Sequence, residues 1–111
     1  MTTTILMTGE TLGRGDDALG RRLATKLLHQ LSTLPDKPHT IVFYNSAVRL
    51  LLEASPAHEA LGALEREGVD LVACGTCVEH FGLNGQLGVG RVSDMREIAT
   101  TMLAADKVVT V

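Results

Sequence analysis

The sequence predicts an α/β protein, a three-layer α/β/α sandwich around a mainly parallel sheet of about five strands. Two observations carry that expectation. Short apolar runs alternate with amphipathic segments along the whole chain. Runs such as Ile41-Val42-Phe43-Tyr44 are apolar almost without interruption, as strands buried on both faces of a parallel sheet require. With right-handed crossovers the intervening helices cover both faces.

Taken in order, residues 3–8 read as a strand and residues 16–34 as an amphipathic helix, with Leu19, Leu23, Leu27 and Leu31 on one face beside Ala24 and Leu28. Arg21, Arg22 and Lys26 take the opposite face. Pro35 and Pro38 break the pattern before a second strand at 40–44. Residues 46–53 form a short helix. Ser55 then caps and Pro56 opens a further helix that runs to Glu67, with Gly68 in the left-handed position after it. Residues 69–74 make a third strand that ends on Cys74. A short helix is expected over 75–81, a glycine-rich loop over 82–88 and a weak strand over 89–92. Ser93 is the expected cap of a helix with Met95, Ile98, Ala99, Met102 and Leu103 on one face. Residues 107–111 form the last strand. Repeats, linkers and low-complexity tracts are absent, so residues 1–111 are expected to fold as a single domain.

Composition excludes several functions. Ten Lys and Arg against thirteen Asp and Glu leave a net charge of −3, without the broad basic surface that phosphate backbones need, so no nucleic acid is expected. Phe43, Tyr44 and Phe81 are the only aromatic side chains, too few for a platform under a flavin or a base. No cofactor is expected. The first residues lack the pattern of a secretory signal, and no apolar run approaches the roughly 20 residues that span a bilayer. These features predict a soluble cytoplasmic protein that does not engage a membrane.

Ligand sites of open parallel sheets lie beyond the carboxyl ends of the strands. Three loops are candidates: Gly9 to Gly15, Asn45-Ser46, and Cys74-Gly75-Thr76-Cys77. Gly13-Arg14-Gly15-Asp16-Asp17-Ala18 imitates a dinucleotide fingerprint, but Asp16 and Asp17 would occupy the helix N-terminus themselves and repel a pyrophosphate. The simpler reading makes Gly13 and Gly15 turn residues and Asp16 a helix cap. Asn45 and Ser46 either line the same edge or cap the next helix.

Cys74 and Cys77 are the most reactive groups in the chain. A helix start beside them would favour the thiolate, Gly75 leaves the backbone free near the sulfur, and His80 is spaced to serve as a hydrogen-bond partner or proton shuttle. Glu79 opposes thiolate formation. Four readings stand side by side. The cysteines are inert buried side chains, a dithiol redox pair, part of a zinc site with His80, or the seat of a sulfur carrier. Zinc lacks a second ligand pair, because His29, His39 and His58 are isolated, and no metal is expected. A thioredoxin-type site needs a later proline facing the thiols, and none follows Pro56.

Four segments in order, Leu12-Gly13-Arg14-Gly15-Asp16-Asp17-Ala18-Leu19-Gly20, Phe43-Tyr44-Asn45-Ser46-Ala47-Val48, Gly68-Val69 through Cys74-Gly75-Thr76-Cys77, and Ala105-Asp106-Lys107-Val108-Val109, resemble the DsrE-like domain of YedF-type proteins. The resemblance implies a DsrE/TusD-like fold that assembles into oligomers and relays sulfur as a persulfide. It aligns Cys74 with the relay cysteine, Gly82 following eight positions later. Cys77 would then protect the persulfide or resolve it as a disulfide. Arg14 would steer an anionic donor or steady the thiolate, with Asp16, Asn45, Ser46, Gly75 and His80 in support. YedF-type proteins commonly carry a preceding TusA-like domain with a Cys-Pro-x-Pro motif, which this chain lacks. The implied partner is therefore a separate donor or acceptor, a TusA-like protein or a cysteine desulfurase. The setting is sulfur or selenium metabolism, and a homo-oligomer is expected. The alternatives are a non-catalytic oligomeric binding or scaffold domain of the same fold, or a dithiol redox protein.

Overall fold

Five short runs rich in branched aliphatic residues become strands, and each carboxyl end leads into a helix or turn. The computed structural model describes residues 1–111. In chain order it contains β1 (Thr3–Met7), α1 (Asp17–Thr33), β2 (Thr40–Phe43), a 3₁₀ segment (Asn45–Leu51), α2 (His58–Arg66), β3 (Asp70–Cys74), α3 (Gly75–His80), β4 (Arg91–Ser93), α4 (Met95–Ala104) and β5 (Lys107–Thr110). The strands form one sheet in the order β4-β3-β2-β1-β5, with every pair parallel. Helices pack on both sides, so the expected three-layer α/β/α sandwich is the observed one.

The order of the strands explains the layers. From β1 to β4 the chain advances one strand at a time in a single direction, and right-handed crossovers then put their connections on one face. That face holds the larger core: Ile5, Met7, Ile41, Phe43, Leu71 and Ala73 against residues of α1, the 3₁₀ segment and α2. Only the return from β4 to β5 runs the other way, and it carries α4 to the opposite face. There Leu6, Val42, Val72, Cys74 and Ile98 form a smaller core.

Several local expectations are revised. Asp16 caps α1 as expected, its Oδ1 accepting from the Leu19 N–H at 2.8 Å. The fully buried row of α1, however, is Gly20, Ala24 and Leu28, while Leu19 and Leu23 are exposed. Gly20 makes room for the loop after β1, where a Cβ would meet Thr11 Cβ at 2.7 Å, and Leu27 and Leu31 of the leucine row border Val109 and Val111 at the β5 edge. The helix expected over 46–53 is a 3₁₀ segment without a side-chain cap. Pro56 precedes α2 instead of opening it, because Ser55 makes a local turn, accepting from the Ala57 N–H through its hydroxyl and from the His58 N–H through its carbonyl. α2 ends as expected at Gly68 (φ 93°), where Val69 N–H reaches the Leu64 carbonyl and Gly68 N–H the Glu65 carbonyl. β4 begins at Arg91, later than expected, and Val89 joins the core. Asp94, not Ser93, caps α4, accepting from the Glu97 N–H at 2.9 Å, while the Ser93 hydroxyl donates to the Glu97 carboxylate. On α4, Met95 and Leu103 of the expected apolar face are exposed, and Ile98 is the buried residue. No helix is long and apolar enough to cross a membrane.

Candidate functional site

Because β1, β2 and β3 are neighbours, the three loops at their carboxyl ends are neighbours too. Ser46 ties the first to the second: its Oγ accepts the Glu10 N–H at 3.0 Å. Asn45 ties the second to the third, its backbone N–H donating to Cys77 Sγ at 3.0 Å. Asn45 is the one non-glycine residue with positive φ (53°), a conformation that asparagine tolerates better than most residues. Its own Oδ1 accepts the Ser46 N–H at 2.8 Å and holds the turn. Asn45 and Ser46 therefore lie at this edge, and neither caps the element that follows, whose N-cap is Tyr44 without a side-chain bond.

β3 delivers the cysteines. Cys74 is the last residue of the strand and the N-cap of α3, and its side chain is 2% exposed within the smaller core. Cys77, in the first turn of α3, is half-buried and packs against both cores. Both thiols are free and lie close together. Gly75 has a reason that the sequence did not reveal: a Cβ there would meet the Ser93 carbonyl oxygen at 2.9 Å and Val92 Cγ1 at 3.3 Å. Glycine at this point lets β4 pass against the start of α3.

Cys77, Asn45, Thr76, His80 and Phe81 line a cavity of about 270 Å³. The Arg49 guanidinium lies 4.2 Å from the centre of the Phe81 ring, and its Nη1 donates to Glu10 Oε1 at 3.2 Å. Arg21 approaches the same carboxylate at 3.8 Å. His80 is exposed and meets Phe81 edge to face at 5.0 Å. No three His, Cys, Asp or Glu side chains gather as a metal site. A larger groove of about 510 Å³ between α1 and α2, lined by Lys26, His29, Glu59 and Arg66 among others, contains neither cysteine, so chemistry and size point to different places.

The electrostatics of Cys77 differ from what a helix start alone would produce. Burial pushes its thiol up, the Asn45 N–H pulls the other way, and the adjoining Cys74 sulfur adds to the rise. α3 is only six residues long, and the N–H group that reaches Cys77 comes from the loop after β2. The site thus holds a protonated thiol at neutral pH, oriented by one donor, beside a second thiol in an apolar setting.

Of the expected site residues, Cys74, Gly75, Cys77, Asn45, Ser46 and His80 come together at this edge. Arg14 and Asp16 do not line the cavity: Asp16 caps α1, and Arg14 is exposed between Gly13 (φ 81°) and Gly15 (φ 125°). Sequence reading gave no role to Thr76, Phe81, Arg49 or Glu10. Arg49 did carry a signal, as the one charge inside Ala47-Val48-Arg49-Leu50-Leu51-Leu52, the mark of a residue facing out of a buried stretch.

A parallel three-layer sandwich with two free thiols at the carboxyl edge defines the general class. The chain belongs to the DsrE/DsrF-like family, whose profile matches residues 1–111. That family is generally related to sulfur relay. Among solved structures the chain is similar to the crystal structure of the ychN protein from E. coli, with a TM-score of 0.69, 22% identity and 100% of each chain covered. At that identity the likeness is one of fold. No curated protein matches the chain.

Proposed function

We propose that this protein carries sulfane sulfur as a persulfide on its Cys74-Gly75-Thr76-Cys77 segment and exchanges it with a separate protein. One observation carries the reading: two free thiols lie close together at the carboxyl edge of the sheet, one of them lining a cavity. Family membership supports it. In the loading step a thiolate of the pair attacks the outer sulfur of the donor's persulfide. A new S–S bond forms on this chain, the donor's S–S bond breaks, and the donor leaves as a thiolate, with no net redox change. This chemistry calls for a nucleophilic sulfur and access for a partner and for no further group.

The partner in this reading is a cysteine desulfurase or a TusA-like carrier, and the setting is sulfur or selenium metabolism in the cytoplasm. Self-association belongs to the same reading and is supported by apolar side chains exposed on α1 and β5, among them Leu19, Leu23 and Val108. Sedimentation velocity reads it directly. The functional test is incubation with a cysteine desulfurase and cysteine, followed by intact mass analysis. The wild type is expected to react with the donor sulfur, and the Cys74→Ser/Cys77→Ser double variant is not. A wild type that never reacts with the donor persulfide would leave a binding or scaffold role in its place.

A further inference from the structure

We infer that Cys77 is the thiol that accepts the sulfur, and that, when no acceptor protein takes it, Cys74 behind it resolves the persulfide, releasing hydrogen sulfide and leaving a Cys74–Cys77 disulfide. The inference rests on the sulfur-carrier reading above and reverses the roles that sequence resemblance implies, in which Cys74 holds the sulfur.

Access distinguishes the two cysteines. Cys74 is 2% exposed and lies among Leu6, Val42, Val72 and Ile98, so the sulfur of a partner protein has no path to it. Cys77 lines the cavity and has its sulfur oriented by the Asn45 N–H.

Position makes the second step local. Cys74 is the N-cap of α3 and Cys77 its third residue, and side chains at those two positions meet over the first turn. Once Cys77 carries a persulfide, the Cys74 thiolate has two sulfurs to attack. Attack on the outer one would expel the Cys77 thiolate, a poor leaving group because burial raises that thiol. Attack on the inner one expels hydrosulfide, the more acidic and better leaving group. In that step the bond between Cys77 and the sulfane sulfur breaks and a Cys74–Cys77 bond forms. The sulfane sulfur gains two electrons, each cysteine sulfur gives up one, and the Cys74 proton departs with the sulfide. An external dithiol reductant then restores the pair for another cycle.

A cysteine desulfurase, loaded with cysteine and desalted so that it holds only its own persulfide, serves as donor in the absence of reductant. The wild type is expected to end lighter by two hydrogens, with Cys74 and Cys77 joined in the peptide map and about one sulfide released per chain. Cys74→Ala, which suits an apolar site, should retain one added sulfur on Cys77 and release none. Cys77→Ser should neither gain sulfur nor release sulfide. A wild type that keeps the added sulfur without releasing sulfide overturns the inference and leaves the carrier reading intact. A wild type that never reacts overturns both. Loading of Cys77→Ser, or wild-type sulfide release from Cys74→Ala, overturns the division of roles.

Discussion

Asn45 shows how one residue can organise a site without contributing its side chain to the chemistry. With φ at 53° its backbone N–H turns toward Cys77, while its side chain closes the turn on Ser46. Burial outweighs that donor and keeps the Cys77 thiol above its usual range. Ionisation of Cys77 therefore comes at higher pH than for an ordinary thiol. We expect its alkylation rate to reach half-maximum above the roughly 8.5 of a free cysteine. Asn45→Gly keeps the left-handed turn and should leave that midpoint in place. Asn45→Val resists the conformation at a cost of about 1–2 kcal/mol, and loss of the donor should move the midpoint further up. Stopped-flow alkylation across pH reads both effects, and a midpoint at or below that of a free thiol contradicts the account. None of this was visible in the residue string, because the donor to Cys77 comes from 32 positions away. The cysteine pair itself was visible, since two thiols in an otherwise plain chain stand out from composition alone.

β4 is the most exposed test of how an element is held. It has three residues, only Ser93 is even half-buried, and it lies at the edge of the sheet. Arg91 compensates with a two-pronged contact to both Asp70 oxygens, 2.9 Å each, and a third bond to Glu97 at 2.7 Å. The Arg91 guanidinium holds the Asp70 carboxyl below its usual range, and the Ser93 hydroxyl with Arg91 does the same for Glu97. A carboxylate with a depressed native pKa stabilises above its unfolded value, about 4, and loses that contribution as pH falls through the native one. The groups are partly exposed, so the effect belongs to local opening and leaves global stability little changed. Hydrogen-exchange protection at Arg91–Ser93, measured against the intrinsic exchange rate at each pH, should fall in Arg91→Ala at neutral pH and in the wild type under acid, with β2 unchanged. Equal protection in variant and wild type would remove Arg91 from this role. Sequence periodicity located this strand only roughly, because a short edge strand carries little apolar pattern, whereas β2, enclosed on both faces, was read almost to the residue.

The two faces of the sheet carry unequal loads. One core has 19 buried residues and the other five, because four strands are wound in one direction and a single helix returns across the back. Cys74 belongs to the smaller core, at the end of β3. Stability should accordingly depend on the α1 side. Leu28→Ala, at a fully buried position, is expected to cost about 2–5 kcal/mol in urea unfolding. Leu19→Ala, at a position 49% exposed, should stay within about 0.5 kcal/mol. Similar losses at both would show that the leucine row carries the load.

The sequence by itself determined the alternation of strand and helix, the sandwich class, the Asp16 cap, the Gly68 stop and the placing of Cys74 at the end of a strand with Cys77 in the turn of helix after it. These are local properties, written in periodicity and in the conformational preferences of single residues. Tertiary structure decided the neighbours of β1, the row of α1 that is buried, the need for glycine at position 75 and the cysteine that faces the cavity. Each of those depends on segments distant in the chain, brought together by right-handed crossovers and close packing, and a helical or strand period carries no record of which distant partner will cover it.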